Sequence, residues 1–267
     1  MFYVEKTRII ARKNNSYLSF PDVIKSKKDP NKLFLVYREG NSHHPTWSKL
    51  VFLVSKDNGE TWKKKKEFNL DIERNGCVWN CPRLSYIKNE LCIICDTKSG
   101  VVEKRAIFST YIIKSKTEGT FWDYIETPFP DMVPDKIIKF KNKLLCANHK
   151  IKSIKNDLIQ LVSWSRDKGR TWYDCNVIAD DDERRYCEAS LVNIDDKYLI
   201  AYLRDNSGHR RNIYYTKSED GIYWDEPKRL KEVIGQRAKK LVLENYTWEK
   251  NAEKTIKIYK EVLRKNT

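Results

Sequence analysis

One eight-residue phrase recurs along this chain and restricts what the chain can fold into. SKDNGETW occupies residues 55–62 and SRDKGRTW occupies residues 165–172, with five positions identical. Degenerate copies are SKTEGTFW at 115–122, where Thr117 replaces the Asp, and SEDGIYW at 218–224. All four copies end in a tryptophan: Trp62, Trp122, Trp172 and Trp224. A repeat of about 50 residues built from short strands is typical of a β-propeller, with one blade per repeat.

The residue types within the phrase are those of a tight turn. Asp at the third place accepts backbone N–H groups, and Gly two residues later supplies a positive φ. The closing Trp packs against the blade. A calcium-binding loop would need further carboxylates at alternate positions and a later Glu, which the phrase does not have. The phrase therefore predicts a structural element and not a catalytic one.

Composition agrees with a folded, mostly β protein. Hydrophobic residues make up 40% of the 267 positions, and runs such as KLFLVY, ELCIIC and KYLIAY are typical of strands. No run approaches the roughly 18 apolar residues of a membrane span, so we expect no membrane partner. The seven cysteines are odd in number and lie mainly in apolar runs. This pattern, with no apolar leader at the N-terminus, favours reduced thiols and a cytoplasmic location.

The net charge of +15 raises the question of a nucleic-acid partner. The lysines are scattered through loops such as KKKK at 63–66 and KSIK at 152–155, and no basic helix gathers them. A solvated, lysine-rich surface is the simpler interpretation. We therefore expect no nucleic-acid partner.

The phrase S-x-D-x-G-x-T-W resembles the Asp-box of sialidases and of their relatives, the BNR-repeat propellers. The resemblance covers residues 1 to about 230. It implies a mostly β, sialidase-like propeller of four recognisable blades, with residues 2–12 as a candidate part of a fifth. It also implies that each box lies on the turn between the third and fourth strands of a blade, away from the functional site.

The first two strands of each repeat predict where that site lies. The first strands begin near Phe20, Cys81, Val133 and Glu188, and the second strands end at Arg38, Asp96, His149 and Arg204. In a propeller these strand ends meet around a central funnel. A charge after an apolar run is costly unless it is paired or hydrated, so a polar ring around the funnel is expected.

Glu188 is a carboxylate at a repeat position that is otherwise apolar. A structural salt bridge with Arg204 is one interpretation, and a functional role is the other. The stretch CEASLVNIDDKYLIAYLRDN resembles the sialidase segment that carries a catalytic Glu and a substrate-binding Arg, which implies these roles for Glu188 and Arg204. LVYREGNSHH at 35–44 resembles another sialidase-like segment, which implies that Arg38 and His43 contact substrate.

The sialidase pattern is incomplete in this chain. Its first-blade Arg is replaced by Ser19, its acid/base Asp falls in a loop that holds Asn41 to His44, and its last two blades with their nucleophilic Tyr are not recognisable. We therefore expect no ordinary sialidase activity. Hydrolysis by another pair of carboxylates remains open, with Glu188 and Asp96 as the catalytic candidates. The remaining candidates for substrate binding are Asp22, Arg83, Asp135 and His149.

Metal binding is the less favoured alternative. His43 and His44 stand in a polar loop, where histidines more often contact solvent than a metal. Cys92 and Cys95 lie three apart in a strand, so their side chains are expected on opposite faces. We expect neither a metal nor a cofactor.

Residues 231–267 change to a helical period, which predicts two amphipathic helices as a separate tail. Trp248, Ala252 and Tyr259 are similar to a pattern at the C-terminus of GT-B glycosyltransferases. The tail either covers apolar propeller surface or mediates self-association or docking to a glycosyltransferase.

The leading functional hypothesis is a propeller that binds or hydrolyses an acidic or polar glycan. The alternative is a non-catalytic glycan-binding or scaffold module associated with polysaccharide biosynthesis.

Overall fold

A computed structural model of the chain describes residues 7–70, 77–99, 109–127, 133–152, 158–208 and 212–230. These ranges form seventeen strands in four antiparallel sheets, which we number as blades I to IV in chain order. Blade I contains β1 (Tyr17–Lys25), β2 (Leu33–Gly40), β3 (Ser48–Ser55) and β4 (Lys63–Asn69). Blade II contains β5 (Cys77–Trp79), β6 (Arg83–Ile87), β7 (Glu90–Ser99), β8 (Thr110–Ser115) and β9 (Asp123–Glu126). Blade III contains β10 (Ile138–Phe140), β11 (Lys143–Ile151), β12 (Leu158–Ser165) and β13 (Tyr173–Ala179). Blade IV contains β14 (Tyr186–Ile194), β15 (Tyr198–Asp205), β16 (Ile213–Ser218) and β17 (Lys228–Arg229).

Each blade is a meander whose strands pair in chain order, which confirms the predicted mostly β propeller of four blades. In blade II the first-strand position is shared by β5 and β6, which both pair with β7. Residues 7–12 form no strand, and residues 2–6 lie outside the described part. The tail at 231–267 also lies outside it, so the helices and the boundary at residue 230 stay predictions. Within the described ranges, no helix has the length and hydropathy needed to span a bilayer.

The core lies between the blades. Phe34, Val36 and Phe52 of blade I pack against Leu91 and Ile93 of blade II. A second cluster joins blades II and III, and a third joins blades III and IV. Because successive side chains of a strand point to opposite faces, a central strand buries both. Its sequence is therefore a continuous apolar run such as LCIIC and does not alternate.

The four repeated phrases form the turns between the third and fourth strands of the blades, where the resemblance implies them. In blade I the Ser55 hydroxyl accepts the N–H of Gly59 at 2.8 Å, and Asp57 accepts the N–H of Thr61 at 2.8 Å. The hydrogen bonds from the hydroxyl and backbone of Thr61 lower the pKa of Asp57 to about 2. Trp62 donates its Nε1–H to the Gly59 carbonyl at 3.1 Å, which closes the turn.

The glycines of three turns also contact the preceding blade. Gly119 has φ +98, and a Cβ there would lie 2.6 Å from the Phe52 ring of blade I. A Cβ on Gly221 would lie 3.0 Å from Leu145 of blade III. The phrase therefore needs Gly for two reasons, the backbone conformation and the close approach of the preceding blade.

Substituting Gly119 separates these two requirements. We expect Gly119→Ala to lower the free energy of unfolding by about 2–4 kcal/mol, because the left-handed backbone and the contact with Phe52 are both disfavoured. Gly208→Ala is the matched control, since Gly208 has φ +86 and nothing within 4 Å of an added Cβ. It should cost only about 1–2 kcal/mol. Guanidinium unfolding followed by tryptophan fluorescence measures both, and equal losses would contradict the role in joining blades.

Candidate functional site

The start of the first strand carries an unusual backbone conformation in three blades. Phe20, Val133 and Glu188 have φ values of 52°, 49° and 51°. In blades I and IV the strand pairing is interrupted at this point, between Ser19 and Asp22 and between Cys187 and Ser190. Such a bulge redirects side chains away from the ladder, and a positive φ is strained for residues other than Gly. Glu188 is the ionisable residue among the three.

These strand starts enclose a cavity of about 320 Å³, which we call the central cavity. All four blades contribute to it. Its lining contains Phe20, Pro21 and Asp22 of blade I, Arg83 of blade II, Val133 to Lys136 of blade III and Glu188 to Ser190 of blade IV. The structure therefore brings together Asp22, Arg83, Asp135 and Glu188, four of the residues that the sequence singled out.

The second strands place four polar residues at equivalent positions. Val36, Ile94 and Tyr202 pair with Asp22, Arg83 and Ser190, and the Ala147 carbonyl accepts the N–H of Asp135 at 2.8 Å. Two residues further along stand Arg38, Asp96, Arg204 and His149. Their exposures differ. Arg38 and Asp96 are fully buried and His149 is 5% exposed, whereas the Arg204 side chain is 52% exposed.

Arg38 is occupied by contacts within the protein. Its guanidinium donates to Ser19 Oγ at 3.1 Å, Asn80 Oδ1 at 3.2 Å and the carbonyl oxygens of Ser42 and His43 at 3.4 and 3.0 Å. Burial lowers its pKa. Arg38 therefore holds the loop after β2 against blade II and has no exposed surface at the cavity. The sequence did not single out Asn80, because an uncharged amide outside the repeat pattern gives no signal.

Asp96 has a comparable structural role. Its carboxylate accepts hydrogen bonds from Asn80 Nδ2 at 2.9 Å and from the backbone N–H groups of Cys81 and Val133, both at 3.0 Å. Val133 is the strained residue of blade III, so Asp96 fixes that blade against blade II. Burial raises the pKa of Asp96, and these hydrogen bonds oppose the rise.

Asp22 and Asp135 connect blades in the same way. Asp22 Oδ2 accepts the N–H of Leu84 at 2.7 Å, and Asp135 Oδ2 accepts the N–H of Leu191 at 2.9 Å. Both aspartates also line the central cavity. Burial raises the pKa of Asp135. One oxygen of each carboxylate is thus committed to the fold, and the other oxygen of Asp22 pairs with Lys136.

Glu188 and Arg204 form the exposed part of the site. Arg204 Nη1 lies 2.8 and 2.9 Å from the two carboxylate oxygens of Glu188, and Nη2 donates to Asn206 Oδ1 at 3.2 Å. The side chains are 42% and 52% exposed. The salt bridge of the structural interpretation is therefore present. An exposed pair stabilises a fold by only about 0–1 kcal/mol, so stability alone is a weak reason for it.

The buried ring of His149 accepts a hydrogen bond from the backbone of Glu188. Its Nδ1 accepts the backbone N–H of Glu188 at 3.4 Å, which assigns the proton of the neutral ring to Nε2. Burial lowers the pKa of His149 to about 4. The ring is therefore neutral at pH 7 and positions the strained residue without carrying charge.

The His43 ring lies beside Phe20, a residue of the cavity lining. Its Nδ1 is 3.3 Å from the Tyr17 hydroxyl, and its ring centroid is 5.9 Å from that of Phe20. Burial, followed by the charges of His44, Arg38 and Lys98, lowers the pKa of His43. Across the described residues, no three His, Cys, Asp or Glu side chains are arranged to share a metal ion. Cys92 and Cys95 belong to core clusters on opposite sides of blade II, as their spacing predicts.

Asp96 and Glu188 should respond differently to loss of charge. Asp96→Asn is expected to lower the free energy of unfolding by about 3 kcal/mol, because one amide cannot accept the three hydrogen bonds that the carboxylate accepts. Glu188→Gln should change it by less than about 1 kcal/mol, because its ion pair is exposed. Urea unfolding at pH 7 measures both values. If Asp96→Asn left the free energy of unfolding unchanged, Asp96 would not be holding the blades together.

Because of His149, the free energy of unfolding should decrease as the pH is lowered. Above the unfolded-state pKa of about 6.5 the ring is neutral in both states and its contribution is complete. As the pH falls towards 4, the unfolded chain takes up a proton that the buried ring does not, at a cost of up to about 1.4 kcal/mol per pH unit. Urea unfolding at pH 7, 6 and 5 should show a smaller slope for His149→Gln than for the wild type. Identical slopes for His149→Gln and the wild type would refute the assignment.

Solved structures of similar fold include three from different organisms. A protein of unknown function from Dyadobacter fermentans has a TM-score of 0.69 at 21% identity, with 83% of this chain and 71% of that chain covered. An α-L-arabinofuranosidase from Fusarium graminearum has a TM-score of 0.60 at 13% identity, with 79% and 66% covered. The NanB sialidase of Streptococcus pneumoniae has a TM-score of 0.64 at 12% identity, with 84% and 54% covered.

These identities establish a shared fold and not a shared activity. The chain spans about two thirds of the arabinofuranosidase and about half of the sialidase. A search of curated proteins by sequence found no match. The sequence profile of the BNR repeat-like domain covers residues 6–247, which confirms the resemblance carried by the repeated phrase. With more than nine tenths of its length matched by that profile, the chain belongs to the BNR repeat-like domain family.

Proposed function

We propose that this propeller binds a polar glycan in the central cavity, with Glu188 and Arg204 in contact with the sugar. The observation that carries the proposal is the Glu188–Arg204 pair. Glu188 stands on a strained bulge and lines the cavity, Arg204 binds its carboxylate, and about half of each of these two side chains is exposed. Strain of this kind is concentrated at functional positions.

The cavity suits a ligand of this kind in size and chemistry. Its volume of about 320 Å³ lies at the lower end of the range of about 300–1,000 Å³ that small-molecule sites occupy. Carboxylates accept hydrogen bonds from sugar hydroxyls, and guanidinium groups donate to them. The arabinofuranosidase and the sialidase, which share the fold, are named for activities on carbohydrates, and this supports the choice of ligand class.

Hydrolysis would require a second carboxylate opposite Glu188. Asp96, the predicted partner, has no exposed surface, and we assign it a positioning role with Arg38 and His149. Asp22 and Asp135, which border the same cavity as Glu188, are the carboxylates that a hydrolytic reaction would use. His43, whose ring lies beside Phe20 of the cavity lining, is proposed to contact the ligand from blade I.

The burial of Asp96 favours a second candidate function. A site with one exposed carboxylate is better suited to binding than to acid/base chemistry, since glycosidases use two. A non-catalytic glycan-binding module beside polysaccharide-synthesis enzymes is therefore the alternative. A cytoplasmic location and a contact of residues 231–267 with a second copy or a glycosyltransferase belong to the same hypothesis. Deleting residues 231–267 and measuring the mass in solution tests that contact.

A glycan array and a turnover assay with Glu188→Gln test the proposal. The wild type should bind a defined group of glycans, and Glu188→Gln should bind them about 10- to 100-fold more weakly through the loss of charge-assisted hydrogen bonds. Glu219→Gln, an exposed change in the β16–β17 turn, is the matched control and should bind as the wild type does.

Turnover separates the two functions. Cleavage of a bound glycan that is lost in Glu188→Gln indicates an enzyme, and binding without cleavage indicates a module. Neither protein should release sialic acid from a fluorogenic sialoside at the rate of a sialidase. An array without any bound glycan, or binding that Glu188→Gln leaves intact, would overturn the proposed site.

A further inference from the structure

Arg83 is the cavity cation whose guanidinium is least engaged. It begins β6 and lines the central cavity. Its Nη1 donates to the neighbouring Pro82 carbonyl at 3.0 Å. Within the described ranges, no other acceptor receives its N–H groups and no carboxylate oxygen lies within 4.0 Å of them. A guanidinium has five N–H donors, so most of the donors of Arg83 are free for a ligand.

The other cations around the cavity are engaged. Arg38 is buried with four acceptors, and Arg204 is bound to Glu188. The Nζ atom of Lys136 lies 2.9 Å from Asp22 Oδ1 and forms an ion pair with it. Of the two arginines to which the sialidase resemblance assigned substrate contacts, Arg38 is thus fully buried and Arg204 is paired with Glu188. Arg83 stands at a position to which the resemblance assigned nothing.

Each carboxylate that lines the cavity is bound to a group other than Arg83. Asp22 is bound by Lys136, Asp135 accepts the N–H of Leu191, and Glu188 is bound by Arg204. A planar, permanently charged guanidinium binds carboxylate and sulfate oxygens through two parallel hydrogen bonds.

We propose that Arg83 binds an anionic substituent of the glycan, a sugar carboxylate or a sulfate ester. This inference rests on the proposed function, because it requires the glycan to occupy the central cavity. It adds that the ligand is acidic and that blade II recognises the charge, while Glu188 and Arg204 of blade IV contact the sugar from across the cavity.

The competing explanation is that Arg83 only balances the negative charge of Asp22, Asp135 and Glu188. It predicts that neutral glycans bind as well as charged ones. The two explanations differ in what replacement of Arg83 does to binding.

An array of matched glycans tests the inference with the full chain. The probes are glucuronate- and sialate-terminated glycans, sulfated glycans, and the same glycans after carboxyl reduction or desulfation. The wild type should bind charged members at least about 10-fold more tightly than their neutral counterparts. Carboxyl reduction and desulfation identify which of the two anions is bound. Raising the salt concentration should weaken binding.

Arg83→Gln should weaken the charged members about 10- to 100-fold and remove the preference over neutral ones. Arg83→Lys, which keeps the charge but not the planar fork, should recover part of the loss. Arg170→Gln in the β12–β13 turn is the matched surface control and should bind as the wild type does. Circular dichroism melting checks that each variant is folded.

The outcomes distinguish this inference from the proposed function. Binding of neutral glycans that Glu188→Gln abolishes and Arg83→Gln leaves intact would overturn the role of Arg83 and leave the proposed function standing. The same holds if charged and neutral members bind equally to the wild type. An array with no bound glycan of either kind would overturn both.

Discussion

A carboxylate that accepts a backbone N–H of the next blade is the interaction on which this propeller depends. It occurs at each of the three junctions between described blades: Asp22 with Leu84, Asp96 with Val133 and Asp135 with Leu191. Apolar packing holds the blades face to face, but it is tolerant of small shifts. A directional hydrogen bond to a charged acceptor fixes where the first strand of each blade begins.

This constraint explains why the central cavity has defined walls. The first strands bulge where they are fixed, and at Glu188 the bulge turns an ionisable side chain towards the cavity. Two of the carboxylates that join the blades, those of Asp22 and Asp135, also border the cavity. The side chains of Glu188 and Arg204 pair with each other and are 42% and 52% exposed, whereas Arg38 and Asp96 are fully buried.

The repeated phrase predicted the blades and the turns they contain because its chemistry is local. Ser, Asp, Gly and Trp within eight residues hydrogen-bond and pack among themselves, so the pattern can be recognised in the sequence alone. Alignment of the repeats in the sequence predicted that the second strands place Arg38, Asp96, His149 and Arg204 at equivalent positions. The BNR family resemblance was predicted on the same residues and is confirmed.

What surrounds each of those positions was decided by the tertiary structure. Asn80 of blade II accepts a hydrogen bond from the buried guanidinium of Arg38, whereas Arg204 pairs with Glu188 at an exposed edge. A repeat makes positions equivalent in the backbone, but burial and pairing depend on side chains from a neighbouring blade that is distant in sequence. Arg83 is the clearest case, because its lack of a carboxylate partner among the described residues is a property of the side chains around it and not of the residue itself. The sequence alone thus determined the repeat, the turns and the order of the strands, and only the packing of one blade on the next decided which polar residues remained available.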